Sequence, residues 1–196
     1  MKYIPLSIPN FIGKEKEYVM QAIDSAWVST GGEFITKFEN NIAEYLNVEK
    51  AAAVQSGTAG IHLGLKLLGV EPGDEVIVPT LTFIAAVNPI KYLCAEPVFM
   101  VCDESLNIDI NKVEKFLKYE CEITPKGVKN KNTGRIIKAI VVVHVFGNMV
   151  DMEGLMEIAR IYNLKVLEDA TEALGTKYTG GRYSGRFAGT IGDVGV

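Results

Sequence analysis

The sequence predicts an α/β domain with a mostly parallel sheet and helices on both faces. Two observations predict it. From Ala51 onward, short apolar runs alternate with stretches of helical periodicity, the pattern of repeated β–α units. The runs are also apolar throughout, most strongly in IIKAIVVVHVFG at 136–147, as expected of strands covered on both faces rather than on one.

Two amphipathic helices precede that alternation. GKEKEYVMQAIDSAW places Tyr18, Val19, Ala22, Ile23 and Trp27 on one side, and after VSTGGE the same spacing recurs at Ile35, Phe38, Ile42, Tyr45 and Leu46. These apolar positions are expected to pack into a core. AAAVQ reads as a strand, TAGIHLGLKLLG as a helix closed by Gly69, and DEVIVP as the next strand. TFIAAVNPIKYL is helical in pattern, but Pro89 should kink or divide it. EPVFMV is a strand, NIDINKVEKFLKYE a helix, IIKAIVVVHVFG a long strand, DMEGLMEIARIYN a helix, and Lys165-Val166-Leu167 a strand running into Glu168 and Asp169. The polar stretch ITPKGVKNKNTGR, 123–135, reads as an exposed loop or short hairpin; its lysines suit solvent better than a phosphate. There is no internal repeat.

Composition narrows the function classes. With 196 residues, 48% of them hydrophobic, the chain can enclose a sizeable core, and its charge is dispersed rather than segregated. A net charge of −4 argues against a nucleic-acid partner, which would call for a basic face. Cys94, Cys102 and Cys121 leave one thiol over in any pairing, so a reduced, cytoplasmic setting is the simpler expectation. No signal peptide is seen at the N-terminus, and no apolar run approaches the length of a membrane span.

Ligands of open parallel sheets gather beyond the carboxyl ends of the strands. That rule selects QSGTAG, PTLTF, HVFGN and EDATEA. In the first, Gly57 permits a tight turn, and the Gly57 and Thr58 N–H groups, with the Ser56 and Thr58 hydroxyls, could hold an anion; a plain helix cap by Ser56 or Thr58 is an equal alternative. The hexapeptide matches neither the phosphate-loop pattern nor the dinucleotide fingerprint. Phe83 could lie flat on a planar ring or be a core residue at a helix start. Asp169 ends an apolar strand, where an unmatched carboxylate is costly. It could pair with a protonated heteroaromatic nitrogen, cap a following helix or bind a metal; His62 and His144 show no ligand spacing with Glu168 or Asp169, so no metal is expected. Anion cradle, flat aromatic and buried acid together suit pyridoxal 5′-phosphate, which has a phosphate, a planar ring and a basic ring nitrogen.

The chain resembles the DegT/DnrJ/StrS sugar aminotransferases, through WVSTGGEFITKFENNIAEYL, AAVQSGTAGIHLGLKLLGVEPGDEVIVPTLTFIAAVNPI, PVFMVCD, VVHVFGNMVDM, VLEDATEALG and GTIGDVGV. The resemblance implies the large domain of a pyridoxal-phosphate-dependent transferase of fold type I, with residues 1–50 a helical segment lining the substrate site and 51–196 an incomplete cofactor-binding domain. It implies that Ser56, Gly57 and Thr58 meet the cofactor phosphate, Phe83 stacks on the ring, Asp169 pairs with the ring nitrogen, and Glu172 lies close to the cofactor. Glu168 is implied to act behind these residues. Ser29 and Thr30, in the WVSTGG loop, and His144 are weaker candidates for the substrate; local hydrogen bonding by a strand-end histidine is the alternative for His144, and His62 is expected to pack inside its helix.

Within the family, the chain is similar to enzymes that aminate C4 of a nucleotide-linked 4-keto-6-deoxy sugar, with glutamate as amino donor, for surface polysaccharides of the legionaminic or related types. Relatives are homodimers. The resemblance also implies a Schiff-base lysine shortly after GDVGV, beyond Val196. Lys165 begins a strand, Lys177 follows the acid motif, and most other lysines fall on predicted helices or in the polar loop, so no catalytic lysine is assigned. The sequence is thus expected to be the N-terminal part of an aminotransferase, without the small C-terminal domain and inactive alone. Two alternatives follow: a non-catalytic fragment, or a sugar 3-dehydratase of the same family, in which histidine replaces that lysine.

Overall fold

The computed structural model describes residues 3–5, 8–29 and 31–196. The chain divides into two compact units, Met1–Ala53 and Val54–Val196.

The first unit is built on α1 (Glu15–Asp24) and α2 (Glu33–Leu46). Asn47 closes α2 in the left-handed conformation that asparagine tolerates, and the Glu39 carboxylate accepts the Ala53 N–H at 2.8 Å. The Tyr18 and Phe34 rings meet at 5.5 Å, with the Lys37 ammonium 5.2 Å from the Tyr18 ring. The expectation that the apolar sides of these helices form a core is corrected: neither helix has a buried residue, and Trp27 is 65% exposed. Two helices alone are too few layers to enclose apolar side chains.

In the second unit the sheet is β1 (Glu75–Pro79), β2 (Glu96–Met100), β3 (Cys121–Thr124), β4 (Gly127–Asn130), β5 (Ile136–Val143), β6 (Lys165–Asp169) and β7 (Val194–Gly195). Strands β2, β1, β5, β6 and β7 lie side by side, all parallel. Pro97 sits in β2, on the sheet's edge, where a missing N–H is tolerated. The polar stretch becomes the antiparallel hairpin β3–β4, and β4 adds antiparallel to Ile136 and Ile137 at the start of β5. Since β1 also pairs Ile137, and β1 and β6 both pair Ala139 and Ile140, β4 and β6 occupy successive stretches of one edge of β5.

Four helices cover the sheet: α3 (Gly57–Leu67), α4 (Asn88–Tyr92), α5 (Ile110–Tyr119) and α6 (Met152–Tyr162). The two-residue period of the strands sorts the core into two faces. Val76, Val78, Ala139, Val141 and Leu167 pack with Ile61 and Leu65 of α3 and Ile90 of α4. Ile77, Ile140, Val142 and Val166 pack with Val113 and Leu117 of α5 and Met152 and Leu155 of α6. Pro89 divides the TFIAAVNPIKYL segment as expected, into a 3₁₀ turn at Ile84–Ala86 and the short α4, whose first turn takes the proline. AAAVQ is not a strand: among the described residues it finds no ladder partner, and strand propensity without a neighbour gives no strand.

Helix α3 sits close to the sheet because Gly60 and Gly64 face it. A Cβ at Gly64 would fall 2.7 Å from Leu167 Cδ1 and 3.2 Å from Val194 Cγ1, and one at Gly60 would fall 2.7 Å from Val196 Cγ1. Gly64→Val is expected to lift the helix and destabilise the unit by about 2 kcal/mol, read as a lower urea midpoint with an unchanged slope.

Candidate active site

The site is built where the parallel strands end. Asp169, the last residue of β6, is the register partner of Val143, the last of β5. Ile77 of β1 pairs Ile140, so Thr80, just past β1, lies level with both. Glu168 and Asp169 are adjacent, and a strand sends adjacent side chains to opposite faces. Asp169 shares the Leu167 face, which α3 covers, and Glu168 shares the Val166 face. The two acids therefore have separate partners.

Glu168 is fully buried. Its Oε1 accepts the Ile191 N–H at 2.6 Å and the Gly192 N–H; its Oε2 accepts the Gly189 N–H at 3.0 Å and meets His144 Nε2 at 3.0 Å. Burial pushes this carboxyl up, and the hydrogen bonds from His144 and from the Gly192 and Ile191 amides outweigh it, so the group lies below the ordinary carboxylate value. A ring and three backbone donors thus satisfy a buried charge, and among the described residues no lysine or arginine bonds to it.

Asp169 is 7% exposed, and its two side-chain hydrogen bonds both fall on Oδ1: the Thr171 hydroxyl donates at 2.6 Å and the Thr171 N–H at 3.2 Å. Among the described residues nothing donates to Oδ2. No helix follows, only turns through Gly175, so Asp169 is not the helix cap its sequence allows. A Cβ on Gly57 would lie 3.5 Å from Thr171 Oγ1, and Gly64 lies against Leu167; α3 therefore runs antiparallel to β6 with its N-terminus beside Asp169. Ser56 caps that helix, accepting the Ala59 N–H at 3.2 Å. The cap uses neither the Gly57 nor the Thr58 N–H, and neither donates to any described residue, so the capping and anion-cradle readings are compatible. Phe83 lies four residues beyond β1 at the same end of the sheet and is 78% exposed, so it is not a core residue.

The comparisons with known proteins bear on this arrangement. Residues 10–196 match the model of the DegT/DnrJ/EryC1/StrS aminotransferase family. The chain belongs to that family. It is 45% identical over 195 residues to the GDP-perosamine synthase of Escherichia coli O157:H7, covering 99% of this chain and 48% of that protein. An aminotransferase structure from Psychrobacter cryohalolentis superposes with a TM-score of 0.80 at 33% identity, over 97% of this chain and 44% of that one. The PLP form of a protein described as a sugar aminotransferase from Streptococcus pneumoniae does so with a TM-score of 0.79 at 27% identity, over 97% and 47%. The chain spans about half the length of the curated relatives it matches. Its fold is the large domain of these family structures, mostly parallel sheet and helices.

Membership of the DegT/DnrJ/EryC1/StrS family leaves each remaining candidate to be placed. The His144 ring is fully buried between Glu168 and the Val150 N–H, which donates to Nδ1 at 3.2 Å. With Nδ1 accepting from Val150, Nε2 is the nitrogen that donates to Glu168, and both nitrogens are engaged; of its two readings, local hydrogen bonding is the one seen, and the substrate contact is corrected. Glu172 is exposed, and its Oε2 accepts the Phe146 N–H at 2.8 Å, tying the acid motif to the HVFGN turn, where Phe146 and Gly147 both have positive φ. His62 stacks edge-on to Tyr92 at 5.8 Å. Ser29 is exposed on a bend of the first unit, and Thr30 lies outside the described residues. Thr171 was missed by the sequence reading, although a hydroxyl residue two positions after an aspartate is a turn signal. The pairing of His144 with Glu168 had no local signal, since 24 residues separate them.

Proposed function

We propose that this chain is the cofactor-binding part of a pyridoxal-phosphate-dependent aminotransferase that converts a nucleotide-linked 4-keto-6-deoxy sugar to its 4-amino sugar, with glutamate as donor, for surface polysaccharide synthesis. The similarity to a GDP-perosamine synthase supports a sugar linked to GDP. The observation that carries the reading is Asp169: a buried carboxylate with one oxygen held and the other unclaimed, beside a helix N-terminus with unused N–H groups.

The residues present fit the cofactor. The Gly57 and Thr58 N–H groups, with the Ser56 and Thr58 hydroxyls, would hold its phosphate at the positive end of α3. Asp169 Oδ2 would accept from the ring nitrogen and keep it protonated. Phe83, exposed at the same end of the sheet, would cover the ring face, and Glu172 would border the site from the turn it ties down. When bound, pyridoxal phosphate supplies an electron-accepting ring that carries the amino group from glutamate to the keto sugar.

Ser29 and Thr30 would contact the sugar. The complete protein would act as a cytoplasmic homodimer; among the described residues no helix is long and apolar enough to cross a membrane. No lysine of residues 1–196 is assigned to the cofactor. Lys165 is held by Asp193 at 2.8 Å, at the start of the strand that Asp169 ends, and Lys177 lies 4.1 Å over the Phe187 ring. The chain alone is therefore expected to bind pyridoxal phosphate reversibly and not to transaminate. Titration followed by absorbance, then borohydride reduction and peptide mass mapping, tests this: saturable binding without fixation to one lysine supports the reading, and absence of saturable binding rejects it.

A further inference from the structure

We propose that Thr171 is a positioning residue that selects which oxygen of Asp169 meets the cofactor's ring nitrogen; the inference rests on the reading above. A carboxylate at a strand end is free to turn about its last torsion, and either oxygen could then face a ligand. Here the Thr171 hydroxyl at 2.6 Å and N–H at 3.2 Å both hold Oδ1. Two donors on one atom fix the carboxylate plane and leave Oδ2 as the only oxygen to offer. The Thr171 hydroxyl oxygen stands near the start of α3, 3.5 Å from where a Cβ on Gly57 would be. The Ala173 N–H donates to the Ala170 carbonyl at 2.8 Å, holding the turn that brings Thr171 back over Asp169.

The test compares two probes on the full chain: pyridoxal phosphate, and 1-deazapyridoxal phosphate, in which a C–H replaces the ring nitrogen. Thr171→Val removes the hydroxyl, and a hydrogen bond to a charged group is worth about a tenfold change in affinity. Thr171→Val is expected to bind pyridoxal phosphate about tenfold more weakly while its affinity for the deaza probe stays at the parent value. Thr171→Ser, which keeps the hydroxyl, should restore the parent affinity; Thr171→Ala provides the same comparison if valine prevents folding. Equal weakening of both probes would mean that Thr171 serves the phosphate or the fold in general, and would overturn the proposal. So would a variant indistinguishable from the parent with pyridoxal phosphate. A parent chain that binds neither probe overturns the cofactor reading itself, a result distinct from both.

Discussion

Glu168→Gln is expected to cost the second unit about 3–5 kcal/mol at neutral pH, enough to leave much of the population unfolded. The reason is the number of donors meeting at one carboxylate. Three backbone N–H groups and the His144 ring converge on Glu168, from the 189–192 turn and from the end of β5. An amide of the same size keeps one acceptor oxygen but presents an NH₂ group to donors that need an acceptor, so at least one buried N–H loses its partner. The Val196 N–H also donates to the Glu168 carbonyl, at 2.9 Å, so the register of β7 is lost with the turn. The sign of the pH dependence follows. Glu168 is held below the ordinary carboxylate value of 4.5 when folded, so its stabilising effect is fully present above that value. It is lost as pH falls through the lowered folded value. The gap between parent and variant in urea midpoint should therefore be widest at neutral pH and shrink in acid. A gap independent of pH would show that the charge of Glu168 is irrelevant to the turn.

The same pair of acids marks the limit of what the sequence conveys. Local pattern was sufficient for β1, β5, β6, α5 and α6, because a buried strand or an amphipathic helix states its own burial in its spacing. It was sufficient for the division at Pro89, which is chain stereochemistry. It failed for AAAVQ, since a strand needs a neighbour and a neighbour is a non-local fact. The polar stretch at 123–135 was legible as a loop or short hairpin, but its attachment to the sheet was not; that attachment is the pairing of Val128 and Lys129 with Ile137 and Ile136, accompanied by the buried hydrogen bond from Asn130 Nδ2 to Glu75 Oε2 at 2.9 Å, 55 positions apart. The apolar sides of α1 and α2 announced a core that the first unit has too few elements to form. At the site, the strand-end rule placed Asp169, while Ser56 and Gly57 reach the same end of the sheet as the start of α3 and not as the end of a strand; the separate fates of Glu168 and Asp169 came from strand alternation together with knowing which helix covers which face.

Asp169→Ala is expected to abolish measurable binding of pyridoxal phosphate, the largest functional effect of any single substitution in the site. Truncating one partner of a buried charge pair costs about 2–5 kcal/mol, a loss in affinity of roughly thirtyfold to several thousandfold. The structure offers no substitute. Glu168 points to the opposite face and is saturated by four donors, and Glu172 already accepts from the Phe146 N–H. Fold stability should change little, because Asp169 contributes only its two bonds with Thr171, a residue that stays exposed. Asp169→Asn separates charge from shape. It keeps an oxygen for the Thr171 hydroxyl and N–H but turns the free position into a neutral amide, which cannot hold a cationic ring nitrogen. The asparagine variant should therefore lose most of the affinity for pyridoxal phosphate while retaining that for 1-deazapyridoxal phosphate, which carries no charge at that point. Melting curves near the parent's, with this divergence between the two probes, would assign the loss to electrostatics rather than to damage of the sheet; parent-like affinity for pyridoxal phosphate in the asparagine variant would remove Asp169 from the site.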